Sequence, residues 1–244
     1  MAVVNVQSEQ AVAIVSPRYR VITNEEAVQS MLTAFDEAKL DLTDASVRVQ
    51  NSYNGAQSML RVMLPAYTVM TGKNETSLEI ITLNSYNGAW RYSNYVGGFR
   101  FACANGQILG THIGRYSQVH NAALNAKQAA THIARMIEDF DNSEEWFNSM
   151  IARKVTELEV KMFISKLARI PYQMFDESRV AKALFAQYET YATAMGANGY
   201  ALYNACTDFI THKRRKEGAY ASSLFEDESR FQHLLSTEYG KVIA

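Results

Sequence analysis

The chain has 244 residues, of which 48% are hydrophobic and 20% charged, with only 3 Pro. That composition suits a globular protein, and no Gly/Ser-rich stretch reads as a linker, so one compact domain over residues 17–244 is expected behind a flexible tail, residues 1–16. Lys and Arg number 24 against 25 Asp and Glu, a net charge of −1; this argues against a dedicated duplex-DNA binder, whose affinity rests on neutralising phosphates, and leaves room for a local basic face.

Residues 1–15 lack a basic leader, and their apolar run Ala11–Val15 is too short for a signal peptide or a membrane span. The two cysteines, Cys103 and Cys206, fall in a predicted strand and a predicted helix. Reduced thiols in a cytoplasmic protein with no membrane contact are therefore expected.

In chain order, Arg18–Ile22 reads as a short strand. Thr23 or Asn24 then caps a helix over Glu25–Leu40, with Ala27, Met31, Leu32 and Phe35 at helical spacing. Val47–Gln50 and Met59–Leu64 flank Asn51-Ser-Tyr-Asn-Gly55. Leu78–Leu83 and Gly98–Cys103 flank a second copy, Asn84-Ser-Tyr-Asn-Gly88. Asn-Gly between β-branched and aromatic runs signals a hairpin, because both residues tolerate positive φ.

Alternation sets Val47 and Val49 against Arg48, Leu60 and Val62 against Arg61, and Phe99 and Phe101 against Arg100. One sheet face is thus expected to be apolar and the other to carry arginines.

From Ser117 the spacing turns helical, with a stripe Val119, Ala122, Ala123, Ala126, Ala130, Ile133, Ile137 and Phe140. Asn142 with Glu145, and Thr156 with Glu159, have the spacing of capping boxes. Helices over Ser178–Met195, Tyr200–His212 and Glu228–Tyr239 complete the chain. The expected class is α+β: an antiparallel β-hairpin sheet with one early helix (17–115), then a mostly helical half (116–244).

Three segments carry a family resemblance: the second Asn-Ser-Tyr-Asn-Gly turn leading into Phe99–Gly106, Tyr200–His212, and Ser222–Phe225. Taken in order across residues 17–235, the pattern resembles the phage and plasmid proteins grouped as domain of unknown function 932. The resemblance implies a mobile-element origin. The family has a His-Asp pair where this chain has Tyr86-Asn87, and a Glu where it has Asp208. The loss of a titratable pair weakens a catalytic role at the turn.

Asn204, Asp208 and His212 recur every four residues and share one helix face. They suit a structural polar network, together with Asn84 and Asn87 at the turn. A metal-assisted hydrolase built on Asp208 and His212 is a minor alternative, since a metal needs three or four ligands and no second cluster of clear spacing exists. No phosphate loop, nucleophile elbow or zinc-protease helix occurs, and no cofactor is expected.

Arg48, Arg61 and Arg100, with Arg91 and Arg115 nearby, would share the polar sheet face. Tyr53, Tyr86, Trp90, Tyr92 and Tyr95 cluster around the same turns. Lys213, Arg214 and Arg215 extend the basic set at a helix end, where cations also complement the macrodipole. Arginines among exposed aromatics suit a single-stranded nucleic acid. Against this, the arginines could pair with Glu79 and other acids while the aromatics pack sheet edges. The first expectation is a non-enzymatic, homo-oligomeric protein that binds single-stranded nucleic acid and mediates recombination or annealing. The alternative is a module that binds a host protein.

Overall fold

The computed structural model describes residues 1–5, 9–71, 74–100, 105–108, 115–140, 143–213 and 218–243. Residues 1–16, expected as a loose tail, contain a two-stranded antiparallel hairpin of β1 (Ala2–Val4) and β2 (Ala11–Ile14). Arg18–Ile22, expected as a strand, is irregular, because its polar groups bond elsewhere: the Arg20 amide donates to the His120 carbonyl at 3.2 Å.

Helix α1 (Asn24–Glu37) begins as its sequence dictates. Thr23 Oγ1 accepts from the Glu26 amide at 3.0 Å, and the Glu26 carboxylate accepts from the Thr23 amide at 2.8 Å. This reciprocal cap satisfies two donors that the first turn leaves open. Ala27, Ser30, Met31, Ala34 and Phe35 form its buried stripe.

A six-stranded antiparallel sheet follows: β3 (Ser46–Ser52), β4 (Gln57–Thr71), β5 (Asn74–Ser85), β6 (Tyr92–Arg100), β7 (Asn105–Ile108) and β8 (Arg115–Gln118). The strand order is β3-β4-β5-β6-β7, with β8 also on β6. The first expected hairpin pairs as read; in the second, Leu78–Leu83 pairs with Ser93–Gly98, so its partner strand begins earlier than the expected Gly98, and residues 101–103 lie outside the described residues. The two Asn-Ser-Tyr-Asn-Gly copies differ in shape, however. In the first, Tyr53, Asn54 and Gly55 all have positive φ; in the second only Gly88 does. Tertiary bonds account for the difference: the Tyr86 hydroxyl accepts from the Asn24 amide at 2.9 Å, and the Tyr86 amide donates to the Ala56 carbonyl at 2.7 Å.

The expected helix from Ser117 starts later. Arg115–Gln118 pairs with Tyr92–Tyr95, and α2 spans Ala126–Glu138, so Val119, Ala122 and Ala123 lie outside the helix and are exposed. The remaining helices are α3 (Ser143–Ala152), α4 (Glu157–Ala168), α5 (Arg179–Met195), α6 (Gly199–His212) and α7 (Tyr220–Leu235). The Thr156–Glu159 capping box is present, whereas Asn142 lies outside the described residues. The last helix begins well before Glu228, because Ala221 and Leu224 continue its buried stripe.

The register settles the layering. Val49, Leu60, Thr82, Asn94 and Tyr116 lie across one another on one sheet face. On that face Thr82 meets Met31 of α1, and Tyr116 stacks on His132 of α2 at 5.1 Å. Arg48, Arg61, Ile81, Tyr95 and Arg115 line the opposite face. There Phe225 of α7 packs on Trp90 and Tyr95, with ring centroids 5.4 and 6.5 Å apart. The sheet is therefore covered on both faces, and α6, buried from Gly199 to Thr207, forms the centre of the helical layer. Overall the chain is α+β, with the helical second half expected from its periodicity.

Candidate functional site

The register places Arg48 and Arg61 on one sheet face, as alternation predicted, and Arg115, opposite Tyr95, on the same face, but helix α7 lies over strands β3 and β4 there. Arg61 is 5% exposed. Its guanidinium donates to Glu79 of β5 at 3.1 Å and to Glu228 of α7. Burial works against the charge on Arg61, but Glu228 and Glu79 outweigh it and hold the guanidinium protonated. Burial also raises the pKa of Glu79, and Arg61 opposes this only in part. Two carboxylates thus bracket the Arg61 guanidinium in a desolvated site, and Arg48 on the edge strand also acts on Glu79. Arg61, expected to meet phosphate, is instead the hub of an interior ion triad; pairing with Glu79 was the alternative reading, and it describes this residue.

The other expected cations are dispersed. Arg48 is exposed on edge strand β3, while Arg91 and Arg115 are exposed around β6 and β8, towards the other end of the strand order. The Arg115 guanidinium lies 6.0 Å from the Tyr95 ring centroid. Lys213 bonds Asp227 at 3.1 Å. The side chain of Arg100, and the whole of Arg214 and Arg215, lie outside the described residues, as does Cys103. Of the five aromatics expected to stack on bases, Tyr53 is exposed, Tyr86 is partly covered, and Trp90, Tyr92 and Tyr95 are buried. The expected stacking platform is therefore not assembled on this face. Its rings pack the interior because both sheet faces carry helices.

The expected polar network separates into distinct parts. Asn84 donates to the Ile22 carbonyl at 2.9 Å and to Asn24 at 3.1 Å, tying β5 to the entry of α1. Asn87 is exposed and accepts from the Ala89 amide. Asn204 is buried and donates to the Tyr200 carbonyl of its own helix. Asp208 accepts from Tyr191 at 3.1 Å and from Gln187, both on α5, and faces His212 Nδ1 at 2.5 Å. This group joins α6 to α5, where the sequence groups it with Asn84 and Asn87 at the turn. Among the described residues no group of three His, Cys, Asp or Glu side chains is placed to hold a metal ion. Cys206 is buried, and burial pushes its thiol far up in pKa, so it is not a thiolate nucleophile.

Sequence reasoning missed Glu228. Its signal was available: it is the charged member of the buried stripe Ala221, Leu224, Glu228, Phe231 and Leu235. It also missed a surface of different character. Val47 and Val49 of β3 are 62% and 59% exposed, and Val28 and Leu32 of α1 are 38% and 39% exposed. Asn24 and Met31 set α1 over β4 and β5, and Ala27 packs toward Tyr92 and α2. Val28 and Leu32, one turn apart on the other flank, therefore face the β3 side. Because α1 does not extend over β3, the outward valines have no cover.

No described helix is long and apolar enough to cross a membrane. No curated protein and no solved structure matches the chain. Residues 11–235 match one family, so nearly the whole molecule, sheet and helical half together, belongs to the family described as Domain of unknown function (DUF932).

Proposed function

We propose that this chain is a binding protein that acts by joining another protein surface along strand β3 and the outer flank of α1. The observation that carries this reading is the exposure of Val47 and Val49 on a strand that ends the sheet. An edge strand offers unpaired backbone groups, and soluble proteins usually guard it with charge, Pro or a covering element. Here Arg48 is the one charge between two outward valines, and Val28 and Leu32 extend the same apolar patch. Contiguous exposed apolar surface of this kind marks interaction sites.

The test is the solution mass of the full chain by light scattering, with and without Val47→Lys plus Val49→Lys. The reading expects an assembly larger than the monomer, lost in the variant, with unchanged circular dichroism. A wild-type chain that stays monomeric at high concentration counts against it.

A second reading, binding of single-stranded nucleic acid, is favoured by the exposed Arg115 lying over Tyr95, with Arg91 nearby. Guanidinium and ring together suit a phosphate and a base. Salt-sensitive binding of a fluorescent single-stranded oligonucleotide, lost in Arg91→Ala plus Arg115→Ala, would support it. No binding at low salt, where electrostatics are strongest, would remove it.

A further inference from the structure

The N-terminal hairpin raises a question of stability. β1 is Ala2-Val3-Val4 and β2 is Ala11-Val12-Ala13-Ile14, so both strands consist entirely of apolar residues. Yet no described residue from Met1 to Arg20 is buried, and Ile14 is 85% exposed. A two-stranded hairpin alone in water is marginal at best, and stable ones pack an apolar face on something. Among the described residues, Val3, Val12 and Ala13 are only partly covered, so neither face of this hairpin is packed into the core.

The acceptor surface is β3 with the flank of α1. It offers an edge strand with Val47 and Val49 exposed, and Val28 and Leu32 exposed on the flank of α1. An apolar strand added to such an edge gains main-chain hydrogen bonds and covers the valines at the same time.

The hairpin of the same chain does not cover this surface. Its exit is held beside the end of β5 and the segment after β8: the Tyr19 hydroxyl donates to the Ser85 carbonyl at 2.8 Å, the Tyr19 ring stacks on His120 at 4.7 Å, and the Arg20 amide bonds the His120 carbonyl. None of its described residues is buried, and Val47 and Val49 stay open. Every copy carries both the arm and its acceptor, so the arm of a neighbouring copy can cover what its own leaves bare.

We infer that strands β1 and β2 form an exchange arm, which docks on the β3 edge and α1 flank of a second copy of this chain. Reciprocal exchange closes a dimer; exchange in one direction round a series of copies builds a ring or filament. The inference rests on the reading of β3 and α1 as a protein-docking surface and names the partner.

The experiment uses two full-length variants, Val12→Glu plus Ile14→Glu in the arm and Val47→Lys plus Val49→Lys in the acceptor, analysed by size-exclusion chromatography with light scattering, alone and mixed. All the changed side chains are unburied, and circular dichroism checks that both variants fold. The expected result is that each variant alone is monomeric, while the mixture forms a one-to-one complex, because the arm of one meets the intact edge of the other. An arm variant that keeps the wild-type mass while the acceptor variant falls to monomer overturns the arm and leaves the surface as a protein interface. Monomeric wild type overturns both readings, as does an assembly unchanged in either variant.

Discussion

Arg61 of β4 and Glu228 of α7, 167 positions apart in the chain, share a buried ion pair across the interface between sheet and helical layer. Glu79 of β5 binds the same guanidinium from within the sheet. One side chain thus links two strands to the C-terminal helical layer, and removing any partner leaves charge behind in a desolvated place.

The first prediction follows from that asymmetry. Glu228→Ala should lower stability by about 1–3 kcal/mol, because one side of the buried guanidinium loses its acceptor while Glu79 still holds the charge. Replacing the triad together by Arg61→Met, Glu79→Leu and Glu228→Leu should recover much of the loss. Urea unfolding of the four proteins provides the check, and a loss below about 1 kcal/mol in Glu228→Ala would contradict a closed, dry triad.

The triad also gives a pH dependence. The raised pKa of Glu79 means that the folded chain holds this proton more tightly than the unfolded chain does. Its contribution to stability is therefore complete below the ordinary carboxylate range and is lost as pH rises through the raised folded-state value. Glu79→Gln cannot titrate, so its unfolding midpoint should show less decline between mildly acidic and neutral pH. Parallel pH profiles for the wild type and this variant would show that Glu79 does not carry the slope.

Asp208 and His212 should behave as unequal partners. Asp208 is well covered and accepts from Tyr191 and Gln187 across the α5–α6 contact, whereas the His212 side chain is half exposed. Asp208→Ala should cost about 1–3 kcal/mol through the donors it abandons. His212→Ala should cost under about 1 kcal/mol. Thermal melts rank the two, and the reverse order would move the centre of the group to the histidine.

Gly199 opens α6 against the carbonyl of Ile243, where an added Cβ would overlap the backbone. Gly199→Ala should therefore destabilise by about 1–3 kcal/mol, as expected for overpacking. Gly55→Ala at the exposed hairpin turn differs in cause: open space surrounds it, and its positive φ alone carries the penalty. A Gly199→Ala chain as stable as the wild type would mean that α6 and the Ile243 segment can part at little cost.

Local chemistry made much of the fold legible. Thr23 or Asn24 marked one helix start and Thr156-x-x-Glu159 another, and in both a threonine caps the helix. The two Asn-Gly turns joined strands that do pair, although the second partner is Tyr92–Arg100 and begins before Gly98, and alternation put Arg48 and Arg61 on one face. Alternation could not say what lies above that face. Glu228 and Phe225 reach it from more than a hundred residues away in sequence, and they convert an expected basic surface into an interior. The same ignorance of tertiary cover hid the exposure of Val47 and Val49, whose pattern is that of any half-buried strand. The start of α2 was misplaced for a related reason. Ser117 and Gln118 bond to β6 before the alanine-rich stripe begins, and pairing with a strand overrode helical spacing.

The most direct test of the central claim, that β3 and the N-terminal hairpin meet in a contact between copies, is amide hydrogen exchange of the full-length wild-type protein at low and at high concentration. The account predicts that Ser46–Asn51, Ala2–Val4 and Ala11–Ile14 gain protection together as concentration rises, while central β5 stays unchanged. Exchange in all three segments that is fast and independent of concentration would contradict it.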